Sequence, residues 1–513
     1  MKNNHLLRWI IILLMILPGL FPTALSARAQ NTGVEWKEPV LLSSASKSAW
    51  FADVAADPYG TVHVAWSQAN GDYDTVMYTS STDGLTWAKP NDIVAVLADR
   101  GSEATRPVLE VMDGGSRLHL IYRYNLLYAA EAFIGDVSKA SAWTTYATLS
   151  DINQVAYYSS SGTDSSGTQH ILLSWNVPSE NCEICYHVFY RNRATDAIRW
   201  TDFKDISIND FGAAKPELLV DSKDRLHAIW EVNESGGGAY GAVVRPSYLM
   251  YTRSTNDGQT WSKPIKLSAF TDESRNPAIA EDRNGRIIAV WLGLPDDRIY
   301  YQTSSDGGAN WTAPAQVPGI VGGFSVYASL LDDISMARDS DGNVHMIAIG
   351  RLSSAETSLS VLHLTWDGSA WTGPEIIAAY RGEAPEWPKV TVSNGNLLNV
   401  VWHLRDKEHV WDTVNGKYTI WYARGVTTAR HIDSQVLLTP TPSPVIIPTN
   451  PPTQQSTPEL SITATAQVPE NYTPNTQMVY KETQYLKYIL LALLPVLLFI
   501  IVVVAIVLIR KNR

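Results

Sequence analysis

The sequence predicts an all-β fold, a β-propeller of seven four-stranded blades, with six blades as the alternative count. Three observations predict it. A turn rich in Asp and Gly, followed by a short apolar strand, recurs seven times along the chain. Each copy is followed by another strand and then, in six of the seven, by an element that opens on tryptophan. The repeat is about 50–60 residues long, the period of a four-stranded blade.

The recurring unit begins with Asp57–Trp66, which carries His63. It returns as Asp113–Tyr122 with His119, Asp164–Trp175 with His170 and Asp221–Trp230 with His227. Asp282–Trp291 has Ile288 in place of the histidine, Asp339–Ala348 has His345, and Ser393–Trp402 closes the series. A strand follows each, as in Val76–Thr79, Tyr186–Phe189 and Ile420–Tyr422. Strands this short, bounded by turn residues, do not read as helices. The tryptophan element appears as W-x-x-P at Trp87, Trp261, Trp311 and Trp371, and without proline at Trp143 and Trp200. The fourth strand precedes each Asp/Gly turn, as in Asn276–Ala280. An extra tryptophan element, Trp36–Leu42, stands at the start, whereas the last repeat lacks its own. Residues 35–43 are therefore expected to complete the last blade and close the ring, which removes the exposed sheet edges of an open array. The third repeat, with its longer turn, is the candidate for irregularity in a six-bladed count.

The ends of the 513-residue chain have a different character. Residues 1–29 carry Lys2 and Arg8, an apolar run from Trp9 to Leu20 and small residues before Gln30, the order of a secretory signal. The propeller is expected over 30–436. Residues 437–486 form a Pro/Thr-rich stretch with too little apolar content to fold, read as an extended stalk. Residues 487–510 are apolar over about one bilayer thickness and read as a transmembrane helix. The basic tail, 511–513, is expected on the cytoplasmic side. This order places the propeller outside the cell, on a single-pass anchor.

A net charge of −11 argues against nucleic acid as a partner. The two cysteines, Cys182 and Cys185, are read as a local disulfide outside the cell. The five strand histidines recur at one repeat position, so they should be spread around the ring, each bonded to a neighbouring turn. No metal and no cofactor is expected. Asn233, Asn310 and Asn471 head N-x-S/T sequons.

Several turns ahead of the tryptophans are distinctive: Ser80–Trp87 around Asp83, Ser254–Trp261 around Asp257, Ser304–Trp311 around Asp306 and Thr365–Trp371 around Asp367. They resemble the Asp-box, or BNR, repeats of sialidase-like propellers. In such a turn an Asp side chain accepts backbone N–H bonds, Gly supplies positive φ, and Trp packs between blades. The resemblance implies a structural role for Asp83, Trp87, Asp257, Trp261, Asp306, Trp311, Asp367 and Trp371, away from any catalytic centre. The chain departs from the sialidases in blade count. It also lacks their first-blade Arg-Ile-Pro motif: no arginine lies between Trp36 and Asp57.

Aligning the inner-strand starts brings Trp50, Arg106, Lys215, Arg275 and Trp387 into one ring at the mouth of the propeller, with Glu383 beside them. Asp332 and Asp333 take the same place on the sixth blade. In a functional reading the three cations hold an acidic group while Trp50 and Trp387 stack on a sugar ring. In the structural reading they are Arg–Glu pairs and packing tryptophans. A glycosidase would need a carboxylate pair or an activated tyrosine; Tyr327 and Glu383 are available, but no spacing selects them. The expected function is a cell-surface glycan-binding module. An exo-alpha-sialidase-type hydrolase and a scaffold for a surface protein are the alternatives.

Overall fold

The computed structural model describes residues 33–97, 105–178, 185–195, 197, 199–208, 212–233, 247–268, 273–323, 334–406 and 417–437. The chain divides into two units, Met1–Pro440 and Thr441–Arg513, and every described residue belongs to the first. The expected signal, the transmembrane span at 487–510, the tail and all but the first residue of the stalk lie outside the described residues. Among the described residues no helix is long and apolar enough to cross a membrane.

Seven antiparallel sheets follow one another along the chain, each with four strand positions. The segment ahead of each Asp/Gly turn is the innermost strand of its blade. These inner strands are Ala49–Ala56, Val108–Met112, Ala156–Thr163, Gly212–Val220, Ser274–Glu281, Ile334–Arg338 and Glu383–Ser393, for blades 1 to 7 in order. Blade 3 is regular, with its four strands in sequence order, so the six-blade alternative falls. Its longer turn leaves the pairing of Gln169–Asn176 with Tyr186–Arg193 unbroken.

The ring closes as the tryptophan count implies. Glu35 and Trp36 pair with Val426 and Gly425, and Val40 and Leu41 with Tyr422 and Trp421, which makes the N-terminal segment the outer strand of blade 7. Gly425 is required there by close approach: a Cβ would lie 2.9 Å from the Trp36 ring.

The core is a set of layers, one between each pair of neighbouring blades, with a further cluster at the axis. This is the consequence of sheets that bury both faces. The outer tryptophans fill the edge of these layers. Trp87 packs edge-on against Tyr422 at 4.6 Å, Trp261 against Tyr190 at 5.1 Å, and Trp311 against Tyr251 at 5.0 Å. Trp143 meets Tyr78, Trp371 meets Tyr301, Trp200 meets His119 and Trp36 meets His363. In every case the tryptophan reaches back to the preceding blade, so all seven junctions carry one.

In three of the turns before these tryptophans one carboxylate oxygen accepts two backbone amides. Asp83 Oδ1 accepts the amides of Leu85 and Thr86, Asp306 Oδ1 those of Ala309 and Asn310, and Asp367 Oδ1 those of Ser369 and Ala370. These bonds hold the Asp83 carboxyl down at about 2 and also depress Asp306, while at Asp367 the Ser369 hydroxyl leads and the amides add to it. Blade 4 differs from the sequence reading. There Asn256, not Asp257, accepts the Thr260 amide, and Asp257 sits at φ +54 in the position that Gly307 fills in blade 5. An Asn carbonyl oxygen accepts the same bonds, so the turn survives the exchange.

The strand histidines are spread one per blade and bonded locally. His63, His170, His227 and His345 each face the Asp six residues earlier, at 3.0–3.2 Å. The other ring nitrogen of the first three meets Tyr78, Tyr190 and Tyr251 at 2.7 Å. His119 is the exception: it bonds Tyr146 and Gln169, while Asp113, at φ +52, turns to Arg117.

Candidate functional site

The inner strands do not run straight to the mouth. In blades 1, 4, 5 and 7 the register slips between Trp50 and Asp53, Ala214 and Glu217, Arg275 and Ala278, and Glu386 and Lys389. Each slip is a bulge that holds one residue left-handed: Phe51 (φ +54), Lys215 (+49), Asn276 (+53) and Trp387 (+54). Arg106 takes the same conformation, φ +42, at the entrance to blade 2. Glycine would adopt it without strain. Large side chains stand there instead, at one end of the axis.

Arg106 is the centre of this ring. Its guanidinium lies over Phe51 at 4.3 Å, Tyr158 at 4.9 Å and Trp387 at 5.6 Å, so aromatic faces from blades 1, 3 and 7 surround a cation from blade 2. Tyr157 and Tyr186 complete the aromatic cluster, with Trp50 at its edge. Lys215 Nζ bonds Asn276 Oδ1 at 2.6 Å. Arg275 pairs with the buried Glu231 at 3.2 Å. Burial works against ionisation of Glu231, but Arg275 and Lys215 keep its carboxyl below the usual range.

Below the ring lies an axial cavity of about 260 Å³, lined from several blades by Asp53, Tyr158, Lys215, Glu217, Trp387 and Lys389 among others. Lys389 reaches Glu217 across the ring at 3.7 Å. Burial raises the Asp53 carboxyl, against the pull of Lys389, and its Oδ2 accepts the Leu109 amide. The Ser160 and Ser335 hydroxyls accept the amides of Leu218 and Val390 in the same manner. Side chains of one blade thus satisfy the inner edge of the next.

The sequence-derived ring is brought together in part. Arg106, Lys215 and Trp387 belong to it as expected. Trp50 and Arg275 are each one residue out of phase: Phe51 and Asn276 hold the left-handed positions. A signal for the phase was present, because Arg106, Lys215, Asn276 and Trp387 all precede proline. Trp387 is only 7% exposed and packs on Phe51 at 4.7 Å, so its face is not offered to a sugar ring. Trp50 is half-buried, edge-on to Tyr418 at 5.5 Å. Glu383 is exposed at the start of the blade 7 inner strand. The tyrosines of the cluster were not anticipated. Tyr327, Asp332, Asp333 and Cys182 lie outside the described residues, and with Cys182 the disulfide; Cys185 is buried. Among the described residues no group of three or more His, Cys, Asp or Glu side chains could hold a metal ion.

No family model matches the chain, and no curated relative matches it. Solved structures of similar path include a protein of unknown function from Dyadobacter fermentans, 14% identical over 77% of this chain and 99% of its own, with a TM-score of 0.46. The NanB sialidase of Streptococcus pneumoniae is 14% identical over 76% of this chain and 71% of its own, at 0.41. An ulvan lyase is 9% identical over 73% and 95%, at 0.49. These likenesses assign no residue of this chain a role.

Proposed function

We propose that the protein is a glycan-binding propeller displayed outside the cell, carried on the 437–486 stalk and held by a membrane span at 487–510. The observation that carries the reading is the ring of Phe51, Arg106, Lys215, Asn276 and Trp387. Four bulky residues, Phe51, Arg106, Lys215 and Trp387, are kept left-handed at roughly 1 kcal/mol or more each, where glycine would serve the backbone better, while the fifth is an asparagine, which tolerates that conformation. Strain of this kind supports a role for the side chains themselves. Around them Tyr157, Tyr158, Tyr186 and the partly exposed Trp50 gather polar-edged aromatics at one end of the axis, the chemistry suited to sugar faces. The Asp-box resemblance of the turns at Asp83, Asp306 and Asp367 agrees with it. Commitment of Arg275 to Glu231 and of Lys215 to Asn276 favours binding over a carboxylate clamp of the sialidase kind.

Trp50 is the aromatic of the cluster left partly exposed, so it is the residue to test. On a glycan array, Trp50→Ala in a folded protein is expected to lower retention at least about tenfold, near 1.4 kcal/mol. Retention equal to that of the unaltered protein removes Trp50 from the site. An array on which the unaltered protein retains nothing removes the glycan reading.

A further inference from the structure

Three of the five left-handed residues are held from one blade back. The Arg106 amide donates to Ser67 Oγ at 2.9 Å, the Asn276 amide to Glu231 Oε2 at 3.2 Å and the Phe51 amide to His403 Nδ1 at 3.3 Å. Ser67, Glu231 and His403 occupy the same place in their blades, one residue after the buried Trp66, Trp230 and Trp402. Each reaches forward to the next inner strand, and His403 does so across the junction where the ring closes. The bulges explain the need: Phe51 and Asn276 fall inside register slips, where the regular ladder pairing is interrupted.

The three acceptors differ in chemistry. A serine hydroxyl accepts at any pH, and Glu231 is kept ionised by its cations. A histidine nitrogen accepts only while it carries no proton. His403 Nε2 faces Glu386 Oε2 at 3.1 Å, which puts the ring proton there and leaves Nδ1 bare toward Phe51. Arg405 holds the other oxygen of Glu386. Phe51 in turn meets Trp387 at 4.7 Å and the Arg106 guanidinium at 4.3 Å.

We infer that His403 is the positioning residue of the mouth: neutral, it holds the Phe51 amide and so sets the aromatic wall around Arg106, and protonated, it turns a second N–H toward that amide and releases it. The inference deepens the binding reading above and rests on it for its consequence, which is loss of ligand capture in acid. The charged groups that act on His403 are Glu386, Arg405 and Arg106. Burial lowers its basicity, Arg405 and Arg106 add to this, and Glu386 opposes them. The latch is therefore whole above the usual histidine value of about 6.5, and it opens only as pH falls through the lowered one.

Amide hydrogen exchange on the full chain reads the latch without any ligand. The peptide covering residues 49–53 is followed from about pH 7.5 down to the lowest pH at which a blade 4 peptide covering 226–233 keeps its protection, corrected for intrinsic exchange and compared with that peptide. In the unaltered protein, protection at 49–53 is expected to fall about tenfold more than in the control. His403→Asn places a carbonyl near the Nδ1 position and should keep protection at every pH. His403→Gln reaches Glu386 instead and should lose protection throughout. The two variants are close in size and polarity, so general loosening would affect both alike. Protection at 49–53 that tracks the control in acid overturns the inference, and so does a Gln variant as protected as the unaltered protein. An array silent for a protein whose latch behaves as described counts against glycan binding and leaves the latch standing.

Discussion

The outer rim and the mouth of this propeller are built on the same sevenfold repeat and use it in opposite ways. At the rim the side chain repeats: a tryptophan from every blade packs back on its predecessor, from Trp36 on His363 to Trp371 on Tyr301. At the mouth the backbone repeats and the side chain does not. Phe51, Arg106, Lys215, Asn276 and Trp387 share a left-handed conformation, and all but Phe51 precede proline, yet their side chains differ in size and charge. Repetition of a residue marks a contact that every blade needs. Repetition of a strained conformation under changing residues lets each blade present a different side chain at the mouth. The comparison also separates the two kinds of charge. Rim acids such as Asp83 and Asp306 serve their own turns, whereas Glu231 and Arg275 join different blades.

The contrast can be broken or sharpened by measurement, beginning with the rim. Deleting residues 33–43 removes the outer strand of blade 7 with Trp36 and Leu42, and opens the ring. The cost is expected to be about 5 kcal/mol or more from lost burial alone, read as loss of the cooperative transition in urea; an unchanged midpoint would show that closure is dispensable. A mouth-to-blade link comes next. Glu231→Ala leaves Arg275 without its carboxylate and frees the Asn276 amide, at about 3 kcal/mol, while the matched loss at a rim turn should be far smaller.

Acid separates the two regions differently. Burial pushes His119 down to about 3 and His363 to about 4, and both lie at rim junctions, on Trp200 and Trp36. Because the folded values lie below the unfolded one, their stabilisation is complete above about pH 6.5 and is lost as pH falls toward the folded values. The combined effect is on the order of 6 kcal/mol by about pH 4. Asp53 and Glu110, raised by burial, act in the other direction. The histidine share is therefore the difference in acid slope between the unaltered protein and a His119→Gln/His363→Gln variant, and parallel slopes would refute it. The smallest effects lie in the blade 4 turn. Asn256→Ala should cost about 1 kcal/mol by removing the turn acceptor, whereas Asp257→Gly should stabilise by about 0.5–1 kcal/mol by relieving positive φ. The reverse order would restore Asp257 as the turn acid.

Much of the rim was legible because it depends on local residues that recur. The Asp/Gly turns, the strand histidines and the tryptophans each repeat at fixed offsets, and an element counted once too often at the start must fill the place missing at the end. The blade 4 turn misled only because Asp257 lies beside Asn256, and type alone does not say which of two neighbours has its oxygen toward the amides. The mouth was half legible. Proline after Arg106, Lys215, Asn276 and Trp387 marks the bulge, but alignment by residue type favoured Arg275 over Asn276 and Trp50 over Phe51.

By itself, then, the sequence determined the all-β class, the seven repeats, the closing strand and the tryptophan at each junction, since these follow from periodicity and from the arithmetic of the repeat. Only the tertiary structure decided what the mouth residues do. Whether Arg106 meets solvent or aromatic faces, whether Trp387 is offered or packed, and that His403 holds Phe51 across the ring closure all depend on residues more than fifty positions apart. Their contacts are set by the sign of φ at single bulges and by how one blade leans on the next, and no local pattern in the chain encodes either.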